Sequence, residues 1–141
     1  MRIMAIDYGD AHTGIAISDP TGLLAGFTTV INAYRPDRVT GQIALLAKEH
    51  RVERLVLGHP INMDGTRGPR SEKAQALKAL LEKATGLPVV LWDERRTTID
   101  AHQILQNSGK NAKKRKKVVD AVAASLILEG YLTFVKSHPD P

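Results

Sequence analysis

Apolar runs and turn signals in the first third of the chain predict three neighbouring β-strands. The runs lie at Arg2–Asp7, Thr13–Asp19 and Leu23–Asn32, and stretches rich in Gly, Pro and Asp separate them. Because short turns join antiparallel strands, we expect these three runs to form a meander.

Helical and extended patterns alternate in the rest of the chain. Apolar positions at helical spacing predict helices from Arg35, over Ser71–Thr85, from Thr97 and over Val118–Val135, and the strands between them are Val52–Gly58 and Pro88–Trp92. This order predicts an α/β domain, with a mixed five-stranded sheet of three antiparallel strands and then two parallel ones, flanked by helices.

The length and the hydropathy pattern limit the class of protein. The 141 residues suit one domain, which we expect at 1–137 with a short tail at 138–141. There is no cysteine, which excludes disulfides and thiolate zinc sites. No apolar run approaches the roughly 20 residues that a membrane span needs, so we expect a cytoplasmic protein without membrane contact.

The first strand ends in an acid, Asp7, and a Gly-containing turn follows it. A carboxylate at the end of a buried strand is costly unless a cation, a hydrogen-bond donor or a substrate meets it. Strand ends in open α/β sheets are also where ligands gather. Asp7 is therefore the first candidate site residue, although it could also do no more than cap the turn.

Further acids follow the same pattern. Asp93 and Glu94 end the fifth strand, and Asp120 in the last helix has small alanines three and four residues later. Acids that converge from separate elements repel one another unless a divalent cation lies between them, and oxygen-rich sites suit Mg²⁺ or Mn²⁺. We therefore expect one or two such ions at these acids. Taken singly, Glu94 could instead pair with Arg95, and Asp120 could be a surface acid.

Positive charge is concentrated in one segment. Lys110–Lys117 holds six of the 20 Lys and Arg residues and no acid, which leaves 14 basic residues against 15 acidic ones elsewhere. Such a cluster is typical of contacts to phosphate backbones, although a solvated loop or helix start is an equal alternative. The candidate nucleic-acid ligands here are Lys113, Lys114, Arg115, Lys116 and Lys117.

Four other arginines lie close to the predicted strand ends. Arg95 and Arg96 follow the acids of the fifth strand, and Arg67 and Arg70 lie in a Gly-rich loop after the fourth strand. Guanidinium groups suit bidentate phosphate contacts, so all four are candidate nucleic-acid ligands. One of the first two could instead be a partner of Asp93.

Four motifs resemble the YqgF family, also called RuvX, of Holliday junction resolvases and pre-16S rRNA nucleases. They are AIDYGDAHTGIAISDP from Ala5, LVLGHPINMDGTRGPR from Leu55, DERRTT from Asp93 and VVDAVAASLILEGYL from Val118. The resemblance implies an RNase H-like fold and a metal-dependent endonuclease that matures pre-16S ribosomal RNA.

The resemblance also implies roles for single residues. Asp7, Glu94 and Asp120 would be the catalytic, metal-binding acids, with Asp93 as a neighbour or substitute. One position departs from the family, which usually has Leu where this chain has His59. His59 could reach the site as a donor or proton carrier, or the change could be neutral.

Several alternatives remain open at this point. The substrate could be structured RNA, ribosomal precursor particles or branched DNA, and the protein could be a monomer or a homodimer. A non-catalytic module that binds RNA, ribosomes or a transcription partner is another reading. The turn after Asp7 also resembles the first phosphate loop of actin-like and sugar-kinase ATPases, but the chain lacks their second loop and their length.

Overall fold

A computed structural model describes residues 1–21, 25–59, 68–93 and 112–137, with the backbone alone at 25 and 112–120. Its elements are β1 (Ile3–Asp7), β2 (His12–Ser18), β3 (Ala25–Asn32), α1 (Pro36–Glu49), β4 (Arg54–His59), α2 (Pro69–Thr85), β5 (Val89–Asp93) and α3 (Ala112–Ser137). The helix predicted from Thr97 lies outside the described residues. None of the described helices is long and apolar enough to cross a membrane.

The five strands form one mixed sheet in the order β3-β2-β1-β4-β5. β1 pairs with β2, and β2 with β3, in antiparallel fashion, while β4 is parallel to both β1 and β5. The predicted meander and the two parallel strands are thereby confirmed. Parallel pairing requires crossovers, and α1 and α2 supply them on one face of the sheet.

Alternation along the strands divides the core into two clusters. One cluster lies under α1 and α2 and holds large aliphatic side chains, such as Ile6 and Leu57. The other lies under α3 and combines Ala5 and Ala16 with Trp92. Successive strand residues face opposite sides, so the two clusters line the two faces of the sheet.

Apolar spacing predicts buried stripes of Val39, Ile43, Leu46 and Ala47 in α1 and of Ala74, Leu77, Leu81 and Ala84 in α2. Most of these residues are buried, but Leu46 is half-buried and Ala84 is exposed. Val39, Ile43 and Ala47 of α1 are buried, as are Ala74 and Leu77 of α2. Helix α2 begins at Pro69, two residues before the prediction, because proline is well tolerated at the first helical position. It ends at Gly86, whose φ of 69° belongs to the left-handed region that glycine adopts without strain.

Helix α3 differs from the prediction in two respects. It begins at Ala112 rather than at Val118, because the alanine and the basic residues of this segment are good helix formers. The positively charged run Lys113–Lys117 thus belongs to the helix. The apolar spacing also predicts an inward stripe of Val119, Val122, Ala123, Leu126, Ile127, Gly130 and Tyr131. Ile127 and Tyr131 are buried as predicted, together with Ala124 and Leu128, whereas Val122, Ala123, Leu126 and Gly130 are half-buried.

Candidate active site at the carboxyl edge of the sheet

Asp7 lies at the carboxyl end of the central strand β1 and is half-buried. Its Cα partner in β2 is Gly14. Because Ile6 points into the α1/α2 cluster, alternation directs Asp7 to the opposite face, which α3 covers. The carboxylate therefore stands beside a helix whose buried residues next to the sheet include the small Ala124.

The turn after Asp7 is tight. A Cβ on Gly9 would overlap the carbonyl oxygen of His12, so only glycine fits this position. The next residue, Asp10, receives an ion pair from Lys73 of α2, with 3.2 Å between Nζ and Oδ1. This contact joins the turn to the first turns of α2.

The direction of α3 brings its start to the same edge. The Tyr131 hydroxyl accepts a hydrogen bond of 2.8 Å from Nη1 of Arg54, which opens β4 at the other end of the sheet. From Tyr131 back to position 120 the helix covers about 16 Å. From the Ile3–Arg54 register pair to Asp7, β1 covers about 13 Å. Position 120 thus comes level with Asp7, in line with Ala124 one turn later.

Asp93 lies at the same edge but on the other face. Trp92 packs in the cluster under α3, so alternation directs Asp93 to the side of α1 and α2. Its register partner in β4 is His59. Asp7 therefore faces the side of the sheet that α3 covers, and Asp93 faces the other side.

His59 is buried with α2 rather than turned toward Asp7. Its Nε2 forms a hydrogen bond of 2.5 Å with Oγ of Ser71, and the Gln75 amide lies 3.5 Å from the same nitrogen. His59 is 6% exposed and Ser71 is fully buried. The imidazole therefore links the end of β4 to the start of α2, and the idea that it serves the site as a proton carrier finds no geometric support.

The remaining predicted site residues fall into two groups, those that the structure describes and those that it does not. Arg70 is exposed at the second position of α2, and Lys113–Lys117 occupy the first turns of α3, which contain no acid. A helix N-terminus carries partial positive charge, so a basic run there reinforces a field that attracts anions. Glu94, Arg67, Arg95 and Arg96 lie outside the described residues.

A divalent ion would suit the acids on the α3 face. Carboxylate oxygens are the donors that Mg²⁺ and Mn²⁺ prefer, and Asp7 and position 120 come level there. Among the residues that the structure describes, no three His, Cys, Asp or Glu side chains form a metal-binding group. A complete ligand set therefore needs acids beyond those described, of which Glu94 directly follows β5.

The fold is that of RNase H-like resolvases. RuvC of Thermus thermophilus, solved in complex with a Holliday junction substrate, superposes with a TM-score of 0.63 over 99% of this chain and 96% of that one, at 14% identity. The fowlpox virus resolvase, solved with Holliday junction DNA, gives a TM-score of 0.56 over 99% of this chain and 100% of that one, at 11% identity. Identities this low establish the fold alone.

The sequence model of the family described as RuvX, Holliday junction resolvase, matches residues 1–133, and the chain belongs to this family. A protein of Halothermothrix orenii is 44% identical over 134 residues, covering 95% of this chain and 96% of that protein. One of Bacillus subtilis is 43% identical over 134 residues, covering 94% and 97%. Both carry the name "Putative pre-16S rRNA nuclease".

Proposed function

We propose that this chain is a metal-dependent endonuclease that hydrolyses phosphodiester bonds in precursors of 16S ribosomal RNA, acting on ribosomal precursor particles in the cytoplasm. The names of relatives that match nearly its whole length support the substrate. What supports the chemistry is the place of Asp7 at the carboxyl end of the central strand, on the face of the sheet that α3 covers.

In this proposal Asp7, Glu94 and Asp120 hold one or two Mg²⁺ or Mn²⁺ ions. Bound there, such an ion would supply an activated water and stabilise negative charge on the leaving oxygen. Asp93 lies on the other face and supports the strand end rather than the ion. Arg95 and Arg96, next to the acids, would hold the phosphate of the bond to be cut.

The surrounding cations would hold the flanking backbone. Arg67 and Arg70 reach it from the loop and α2, and Lys113–Lys117 reach it from the start of α3. These contacts do not depend on base sequence, so the affinity should fall steeply as the salt concentration rises.

The test is cleavage of an RNA that contains a mature 16S end and its precursor flank, with Mn²⁺ or Mg²⁺ and with EDTA as the control. We expect metal-dependent cutting that Asp7→Asn and Asp120→Asn abolish. A protein that binds this RNA but never cuts it would be the non-catalytic module instead. ATP hydrolysis without any nuclease activity would favour the ATPase reading.

A second candidate function is the resolution of Holliday junctions, and the description of the family model favours it. Symmetric cutting of a junction needs two copies of the active site, whereas trimming one RNA end needs a single copy. A four-way DNA junction with a matched linear duplex, assayed beside the RNA, separates the two substrates. Paired symmetric cuts by a dimeric protein would favour the junction.

A further inference from the structure

An aromatic ring is exposed beside the candidate site. Tyr34, between β3 and α1, is 79% exposed, more than any other large hydrophobic side chain that the structure describes. Leaving such a ring in water forgoes its burial energy, and exposed aromatic side chains are typical of binding surfaces.

The backbone that carries Tyr34 is fixed to the turn after Asp7. The amide of Ala33 donates a hydrogen bond of 3.1 Å to the carbonyl of Ala11. One residue earlier, Oδ1 of Asn32 lies 2.6 Å from Nδ1 of His12. The ring therefore projects from a part of the chain held to the edge of the sheet that ends in Asp7.

Cations lie at this edge on the side of α1 and α2, together with the acids Asp37 and Glu72 of the same first turns. Both helices begin here, and Arg38 and Arg70 in their first turns are exposed and form no ion pair with any described residue. Lys73, one turn further along α2, reaches back to Asp10 at 3.2 Å.

We propose that Tyr34, Arg38, Arg70 and Lys73 form a second nucleic-acid contact, the Tyr34 surface, on which an unpaired base of an RNA substrate stacks against Tyr34. The three cations bind the neighbouring phosphates. Aromatic rings beside cations are the usual device for holding single-stranded nucleic acid. The Tyr34 surface rests on the proposed nuclease function and deepens it, because it requires a single-stranded nucleotide next to the bond that is cut.

Helices α1 and α2, which carry the three cations of the Tyr34 surface, cover one face of the sheet, and α3 covers the other, with the edge at Asp7 between them. A substrate that touches both would cross that edge. In this arrangement Lys113–Lys117 bind phosphates on one side of the scissile bond, and the Tyr34 surface binds the unpaired side.

The test compares two RNAs by fluorescence anisotropy in EDTA, a hairpin with a single-stranded tail and the same hairpin without it. We expect Tyr34→Ala to weaken binding of the tailed RNA about tenfold and to leave the blunt RNA unchanged. Tyr34→Phe keeps the ring and should bind like the wild type. Leu45→Ala, which removes an exposed apolar side chain further along α1, is the control.

A 2-aminopurine placed in the tail reports the stacking directly. Its fluorescence should be quenched by the wild type and by Tyr34→Phe, but not by Tyr34→Ala. Circular dichroism shows that the variants are folded. Equal losses for both RNAs, or a Tyr34→Ala variant that binds the tailed RNA like the wild type, would overturn the Tyr34 surface.

Salt dependence tests the cations. Arg38→Gln and Lys73→Gln should each flatten the slope of log K against log salt by roughly one phosphate contact, whereas Lys48→Gln at the far end of α1 should not. Unchanged slopes in both variants would count against the cations. If the protein cleaves RNA but Tyr34→Ala changes neither binding nor cleavage, the Tyr34 surface alone is wrong. If RNA binding depends on Tyr34 but no RNA is cleaved, the proposed nuclease function alone is wrong.

Discussion

The two faces of the sheet share the same strands but are built from different side chains. Under α1 and α2 the core is thick and aliphatic, with residues such as Met4 and Leu81. Under α3 the strands contribute alanines, and two aromatic rings, Trp92 and Tyr131, meet edge to face at 5.9 Å between centroids. Small side chains such as Ala5 and Ala16 let a helix lie close to the sheet, which favours a close approach of α3 to β1 and β2.

The same contrast separates the polar residues at the carboxyl edge. On the face of α3, Asp7 stands level with position 120, where chemistry is proposed. On the face of α1 and α2, His59 and Ser71 are buried and bonded to each other. In the proposed function, residues that are neighbours along the edge thus divide between catalysis and stability according to the face they occupy.

The largest effect should come from neutralising the acid on the α3 face, compared with neutralising an acid on the other face. Asp7→Asn keeps the shape of the side chain but removes the charge that would hold an ion, so we expect cleavage to fall about 100-fold or more. Asp93→Asn, on the other face, should cleave much like the wild type. The measurement is the single-turnover rate with Mn²⁺ for both variants, and equal losses would erase the distinction between the faces.

The close approach of α3 can be tested by enlarging Ala124. Ala124→Leu overpacks a fully buried position and should cost about 1–3 kcal/mol in the free energy of unfolding. Because the start of α3 would move away from Asp7, cleavage should fall as well. The same substitution at the exposed Ala79 of α2 is the control for both measurements. Unchanged cleavage by a destabilised Ala124→Leu would show that the spacing of α3 does not matter.

The buried pair on the other face should affect stability and not chemistry. His59→Leu leaves the hydroxyl of Ser71 buried without its partner and should cost about 1–3 kcal/mol. Adding Ser71→Ala to that variant should restore part of the loss. Urea unfolding of the two single variants and the double variant measures this coupling. A large fall in cleavage by a folded His59→Leu variant would instead indicate that His59 takes part in the active site.

The smallest effect concerns Thr13, which is fully buried in β2, with a hydroxyl that has no hydrogen-bond partner among the described residues. Thr13→Val keeps the shape and removes the unsatisfied group, so we expect a gain of up to about 1 kcal/mol. Thr28→Val, at an exposed position of β3, is the control. A clear loss of stability would mean that the Thr13 hydroxyl has a partner, such as a bound water.

The strands and the first two helices were predictable because their patterns allow one interpretation. The apolar run of β1 stops at Asp7, and Gly9 then sits where only glycine fits. In α1 and α2 one stripe of apolar residues has helical spacing, so Val39 and Leu77 could be assigned to the core from spacing alone, although Leu45 and Leu80 lie off that stripe and are exposed.

The buried side of helix α3 was harder to predict because apolar residues occur on most sides of the helix. In the stretch Val118–Leu132 more than one stripe has helical spacing, and the core selects the stripe that fits against Ala5, Ala16 and Trp92. For the basic run before it, the charge left a solvated loop and a helix start equally open, and the run belongs to the helix.

The face of the sheet that each acid occupies, and the role of His59, could not be predicted from the sequence and required the coordinates. Asp93 and Glu94 are adjacent in sequence, so the pattern alone does not distinguish the face that each would occupy. The partner of His59 is Ser71, twelve residues later and on another element. The preference of the related family for Leu at this position gave the only signal, and its meaning depends on the buried hydroxyl nearby.

The most direct test of the proposed active site is a calorimetric titration of the protein with Mn²⁺ in the absence of nucleic acid. We expect binding to be lost in Asp7→Asn and Asp120→Asn and retained in Asp93→Asn, because the proposed ion would lie on the face of α3. Retained binding in Asp7→Asn, or binding that is lost only in Asp93→Asn, would contradict it.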